Sequence, residues 1–315
     1  MASRGPKDSF APKQRCESYT LRSHKQRECK KGPFGAALLS FRTFGRGLEL
    51  PSVVTEQGIV HYEVLGRGEP VILLHGWLGS WGYWLETMRE LSQSYRVYAL
   101  DFWGFGESDR RRESFKVQDF IFLVIDFIDR LGIQEASLVG HSMGGTVALS
   151  VALNKPEKVK KVGVVGSPIE GKSLSLLLKM AAVPQLAFLA WNSPWFFRTM
   201  LKAMAPRTTR PWQEWYEMLL KDLSRITLAS FFQSINSLYQ TDLKPYIAQV
   251  KTPVFGIYGL RDNIVDPGQA KLVEKIPGAK VELLPHCGHF PMLDDPPGFN
   301  RLIFTNLKGG KDGGT

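Results

Sequence analysis

Residues 136–145 read Ala136-Ser137-Leu138-Val139-Gly140-His141-Ser142-Met143-Gly144-Gly145, and these ten residues change character in the middle. Residues 136–140 form a short apolar run of the kind expected for a strand covered on both faces. Residues 145–153 have helical periodicity. Between them the pattern Gly-x-Ser-x-Gly at 140–144 predicts a tight strand-to-helix turn, with small flanking residues that let the backbone bend and lift the Ser142 hydroxyl clear of the sheet. Peptide dipoles at a helix N-terminus favour developing negative charge, which makes Ser142 the candidate nucleophile. The competing reading is a serine that caps an ordinary helix.

Working outward, residues 70–74, 96–100, 161–165 and 253–258 repeat the pattern of an apolar run followed by Gly, a turn and helical spacing. Strands alternating with helices predict an α/β fold with a mainly parallel sheet. Residues 53–56 and 59–65, separated by Gln57-Gly58, read as an antiparallel hairpin at the sheet edge, and Gly66-Arg67-Gly68 turns the chain inward. Residues 280–284 supply the last strand and 297–307 a terminal helix. Residues 169–247 break the alternation: they hold no convincing strand and many Leu, Met, Phe and Trp at helical spacing. The chain therefore divides into a basic N-terminal extension (1–46), a first core segment (47–168), a helical insertion (169–247), a second core segment (248–308) and a glycine-rich end (309–315).

The chain has 315 residues, 43% hydrophobic and 22% charged, which is ordinary globular usage. Its net charge of +10 is unevenly placed, because residues 1–46 hold eleven Lys and Arg against three Asp and Glu, or +8 of the +10. The remainder is nearly neutral, which argues against nucleic acid as a partner. Cys16, Cys29 and Cys287 cannot supply a disulfide framework, so a reducing compartment fits best. The richest apolar stretch, 176–197, is interrupted by Lys179, Pro184, Gln185 and Asn192, which argues against a transmembrane helix while leaving peripheral membrane contact open. The start of the chain lacks a secretory pattern; its Arg- and Lys-rich, acid-poor composition reads as a disordered extension, a transit peptide or a basic tail that touches membrane or nucleic acid. The expected location is cytoplasmic, or plastid or mitochondrial if the N-terminus is a transit peptide.

A serine hydroxyl needs a base, and the base a group to orient it. His289 follows the last predicted strand and so belongs to the same sheet edge as Ser142; His286 lies in the same loop as the alternative, and His289 is favoured. Asp262, in Gly259-Leu260-Arg261-Asp262-Asn263 directly after residues 253–258, is the candidate acid, whereas Asp266 beside Pro267 reads as a helix cap. An oxyanion requires two backbone N–H donors. Met143 supplies one and Trp77, in His75-Gly76-Trp77-Leu78-Gly79, the other; Gly76 permits the tight turn and His75 braces the loop. Cys287 beside the base reads as a bystander.

The set His75-Gly76-Trp77, Asp101-Phe102-Trp103-Gly104-Phe105-Gly106-Glu107-Ser108-Asp109, residues 140–145, residues 259–262 and His289 resembles the α/β-hydrolase superfamily, more narrowly its capped esterase and C–C hydrolase branch. The resemblance covers about residues 50–308. It implies an eight-stranded sheet, a helical cap over the site, and neither metal nor organic cofactor. Epoxide hydrolases and haloalkane dehalogenases share the architecture but carry aspartate where this chain has Ser142. The implied function is hydrolysis of a small to medium apolar carboxylic ester or related acyl bond through an acyl-enzyme. Cleavage of a carbon–carbon bond in a ring-cleavage product and a ligand-binding accessory role remain alternatives. The apolar composition of 169–247 points to an apolar acyl or aryl group, without singling out any residue there. The oligomeric state is not legible.

Overall fold

The computed structural model describes residues 51–55 and 57–309; the readings for 1–46 and for the chain beyond Gly309 fall outside them. The first half of the fold runs β1 (Ser52–Thr55), β2 (Gly58–Leu65), β3 (Glu69–Leu74), α1 (Leu85–Leu91), β4 (Tyr95–Leu100), α2 (Val117–Arg130), β5 (Ala136–His141), α3 (Met143–Asn154) and β6 (Val159–Val165). The helical insertion follows as α4 (Leu176–Ala181), α5 (Pro184–Asn192), α6 (Pro194–Thr208), α7 (Trp212–Leu223) and α8 (Leu228–Gln240). The chain then closes with β7 (Val254–Gly259), α9 (Ala270–Val273), β8 (Lys280–Leu284), α10 (Pro291–Asp294) and α11 (Pro296–Lys308).

The eight strands form one sheet in the order β1-β2-β4-β3-β5-β6-β7-β8. β2 runs antiparallel to β1 and β4 and every other pairing is parallel, so the sheet is mostly parallel as the alternation of elements predicts. Every residue of β5 is buried, as are the last four of β3 and of β4. Successive strand side chains point to opposite faces, so both faces of the sheet centre must be covered. Two pairs of helices do this: α1 packs on α11, and α2 on α3.

The strand order reverses between β3 and β5, since β4 lies on one side of β3 and β6 on the far side of β5. At such a switch point the connections leave in opposite directions and open a crevice beyond the carboxyl ends of the strands. The loops after β3, β4, β5, β6, β7 and β8 all emerge at that edge. Lys161 on β6 ties the fold together from the other side, its buried ammonium donating to the carbonyls of Asn306, Leu307 and Gly309 at the end of α11. A cation there satisfies the helix's unpaired carbonyls and opposes its dipole. Among the described residues no helix is long and apolar enough to cross a membrane. The 176–197 stretch is divided among α4, α5 and the start of α6.

Candidate active site

The turn after β5 is strained. Ser142 has φ 52° and ψ −120°, and with Leu78 (φ 59°) it is one of two described non-glycine residues at positive φ. Each such residue costs about 1–3 kcal/mol unless its surroundings impose it. The surroundings here are close: a Cβ at Gly140 would lie 2.2 Å from the Gly144 carbonyl carbon, and one at Gly144 would lie 2.3 Å from the Leu74 oxygen. The Ser142 N–H donates to Val165 O at 2.8 Å, anchoring the turn to the end of β6. The Ser142 side chain makes no capping hydrogen bond to α3, which removes the simple helix-cap reading.

His289 and Asp262 meet across the loops after β8 and β7. His289 Nδ1 donates to Asp262 Oδ2 at 2.7 Å, both side chains being almost fully buried. The other carboxylate oxygen, Oδ1, accepts from the Ile264 and Val265 N–H groups at 2.8 and 2.9 Å, so the acid is held from two directions. His289 and Ser142 line one cavity, although no hydrogen bond joins the Ser142 hydroxyl to the imidazole among the described contacts. His286 is exposed and outside this arrangement. Asp266 accepts from Gly268 N at 2.8 Å, the capping role its position suggests.

In the loop after β3, Gly79 N donates to Gly76 O at 3.1 Å, closing a turn that begins at Gly76. That residue has no left-handed φ; the positive φ of the loop belongs to Leu78. Gly76 is required for space, because a Cβ there would lie 2.9 Å from His141 Nδ1 and 3.0 Å from the Ser142 Cβ. His75 accepts the Phe102 N–H at Nε2 (3.0 Å) and donates from Nδ1 to Gly76 O (2.7 Å). Burial lowers its pKa, in keeping with a neutral ring. Asp101 extends the brace, its buried carboxylate accepting from Trp81 N, Glu107 N and His61 Nδ1. Among the described residues, neither the Trp77 nor the Met143 N–H donates in a loop or cap hydrogen bond. Met143 directly follows Ser142 in the chain, and Trp77 shares its cavity.

Three supporting residues were not legible in the sequence. His141 sits between Gly76 and His289, its Nε2–H donating to His289 O at 2.8 Å and its ring 4.7 Å from the His289 ring. Burial, with His289 adding to it, drives its pKa well down, so it is a neutral donor that fixes the His289 backbone. Asp294 accepts from Gly288 N at 2.6 Å and from Thr209 Oγ1 and Arg210 N at 2.7 Å each, fastening the histidine loop to the junction of α6 and α7. Leu78 carries a backbone strain that no residue type announces. Cys287 is buried, and burial, with Asp294 adding to it, pushes its thiol up to about 11. A thiolate is not available there at neutral pH.

Above Ser142 the cavity is walled by the insertion: Leu178, Leu201, Met204, Trp215, Leu219 and Phe231 face Trp77, Leu78 and Phe290. No Lys, Arg, Asp or Glu belongs to its lining among the described residues. Nor is any cluster of three or more His, Cys, Asp or Glu arranged there to hold a metal ion.

Comparison with known proteins agrees with this geometry at the level of fold and family. A profile described as the alpha/beta hydrolase family matches residues 71–302. The 2-hydroxy-6-oxo-6-phenylhexa-2,4-dienoate hydrolase of Burkholderia cepacia is 30% identical over 285 residues, covering 82% of this chain and 95% of that protein. The pimeloyl-[acyl-carrier protein] methyl ester esterase of Nitrosomonas europaea is 30% identical over 253 residues, covering 76% of this chain and 96% of that protein. Among solved structures, a hydrolase from Pseudomonas aeruginosa PA01 superposes with a TM-score of 0.73 at 19% identity, over 84% of this chain and all of that one.

Proposed function

This chain belongs to the α/β hydrolase family, and from that premise we propose that it is a serine hydrolase cleaving an uncharged, apolar carboxylic ester through an acyl-enzyme. The observation that carries the reading is the buried His289–Asp262 hydrogen bond facing Ser142 on its strained turn across one apolar cavity. In this reading Asp262 holds the Nδ1–H tautomer of His289, leaving Nε2 to take the Ser142 proton as Oγ attacks the ester carbonyl. The resulting oxyanion accepts from the N–H groups of Trp77 and Met143, and the N-terminal dipole of α3 adds to their field. His289 then protonates the departing alkoxide, and a water activated by the same nitrogen releases the acid.

The cavity lining bears on which acyl bond is cut. The B. cepacia relative acts on a dienoate, whose carboxylate needs a cation or several donors once it leaves water. Here the lining is apolar apart from Ser142, Thr208, the two histidines and the edges of Tyr83, Trp77 and Trp215, with no Lys or Arg. That favours an uncharged ester over a carbon–carbon substrate with a free carboxylate. The test is turnover of uncharged p-nitrophenyl esters of increasing chain length beside a dienoate ring-cleavage product. The expected result is ester hydrolysis that Ser142→Ala lowers by at least about 10⁴-fold, with loss of fluorophosphonate labelling. Faster turnover of the dienoate than of any ester, or a fully active Ser142→Ala, overturns the reading.

A further inference from the structure

Among the described residues, nine of the large hydrophobic side chains that face solvent fall between Leu176 and Phe196, on α4, α5, the turn between them and the first turn of α6. Leu176 is 74% exposed, Trp195 78%, Leu189 61%, and Phe188 and Phe196 60% each. Soluble monomers seldom carry contiguous apolar patches of this kind unless something covers them. Four of the nine, Met180, Leu186, Leu189 and Phe196, also line the cavity above Ser142. The mouth of the cavity therefore opens inside the patch.

Charge decides what covers it. From residue 171 to residue 213 there is no Asp or Glu, while Lys172, Lys179, Arg198, Lys202, Arg207 and Arg210 supply six positive charges. Trp195, Arg198 and Lys202 stand at i, i+3 and i+7 on α6 and so share a face, with all three exposed. A second copy of the chain pairing through this face would oppose cations to cations across a desolvated interface, which is unfavourable. An anionic bilayer suits both components: its headgroups attract the Lys and Arg, and its acyl boundary accepts Leu, Phe and Trp, the residue types that settle at membrane interfaces. We propose that the outer face of α4–α6 docks on an anionic lipid surface, so that the cavity draws its substrate from the bilayer rather than from bulk water. The docking stands on the patch and its charge; the transfer of substrate rests on the esterase reading above.

Co-sedimentation of the full chain with phosphatidylcholine vesicles, with and without phosphatidylglycerol, tests the docking. The expected result is binding that is at least about tenfold tighter with phosphatidylglycerol and is screened by salt. Arg198→Ala with Lys202→Ala should lower that affinity about ten- to thirtyfold, at roughly one headgroup interaction per cation. Phe188→Ser with Trp195→Ser, which are outside the cavity lining, should lower it at least about tenfold while leaving hydrolysis of a soluble short ester and the melting temperature unchanged. The basic residues before 47 are present in every protein compared, so the differences report the α4–α6 face. Ser142→Ala should bind vesicles as the parent does, which separates docking from turnover. Equal binding to both vesicle types, parent-like binding by both double variants, or a dimer that Phe188→Ser with Trp195→Ser dissolves would overturn the proposal.

Discussion

The carboxyl edge of the sheet and the α4–α6 helices face each other across the same cavity, yet they are built on opposite terms. At the sheet edge nearly every position is over-determined: Ser142 and Leu78 are held at positive φ, Gly140 and Gly144 lie against backbone atoms, and Asp101, Asp262 and Asp294 each accept two or more hydrogen bonds. On α4–α6 most side chains are apolar or cationic, many are exposed, and polar ones such as Asn192 and Thr199 bond within their own helix. Rigid placement suits reacting groups, which lose rate for errors of about an ångström. A loose apolar wall suits the recognition of greasy substrate groups, where area matters more than direction.

Substitutions on the two sides should therefore differ in kind. Asp262→Asn leaves the shape of the site but removes the anion that selects the His289 tautomer; kcat for an ester should fall about 10³- to 10⁴-fold with KM little changed, measured by steady-state kinetics. A loss confined to KM would show that the sheet edge binds rather than reacts. Leu178→Trp on the insertion side should cut kcat/KM for long acyl esters about 10- to 100-fold and spare acetate esters, because it narrows the cavity without touching the reacting groups. An equal loss for both esters would erase the distinction between the two walls.

The next effect lies where the two walls touch. Asp222 on α7 is buried and accepts from Ser80 Oγ at 3.2 Å in the loop after β3. Burial pushes its carboxyl up to about 7, against the stabilising bond from Ser80. An unfolded Asp ionises near 4, so between about 4 and 7 the folded state holds a proton that the unfolded state has lost. Stability then declines as pH rises through that window, and the decline is complete above 7. Asp222→Asn should remove it, with a melting temperature several degrees above the parent at pH 8 and equal to it at pH 4, read by calorimetry. A pH-independent difference would place Asp222 outside the link. Smallest of all, Ser142→Gly should abolish turnover yet raise the melting temperature by about 2–4 °C, since glycine adopts the turn without strain.

The same contrast explains what could be read from the chain. The α/β architecture was legible because covered parallel strands leave near-continuous apolar runs, and residues 70–74 and 136–140 could hardly be anything else. Glycines 140 and 144 announced the turn because backbone contacts at about 2.2–2.3 Å exclude any side chain. Gly76 was legible as a requirement but not as a cause: proximity of Ser142 and His141, which are remote in sequence, is what excludes a Cβ. Leu78 left no mark, since a strained leucine looks like any other. Nothing in the sequence singles out Asp294, because only the fold brings Gly288 and Thr209 to it. The insertion's lining was illegible residue by residue, because Leu, Met and Phe serve a pocket wall and a helix interface equally well.

One quiet feature of the fold gives this division a further meaning. The insertion leaves and rejoins the core at adjacent points: Leu243 N donates to Ile169 O at 2.9 Å, Gly171 N to Thr241 O at 2.7 Å, and Glu170 pairs with Asp242. The five helices leave and re-enter the sheet through two adjacent chain segments, so in the course of the chain they amount to one closed loop. Lengthening, shortening or exchanging that loop at those segments changes no strand order and moves no end of the parallel sheet. Such a joint brings the insertion's two ends together, yet His289 N donates to Thr208 O and Asp294 accepts from Thr209 and Arg210, so an exchanged insertion leaves His289 in place only if it keeps those three contacts.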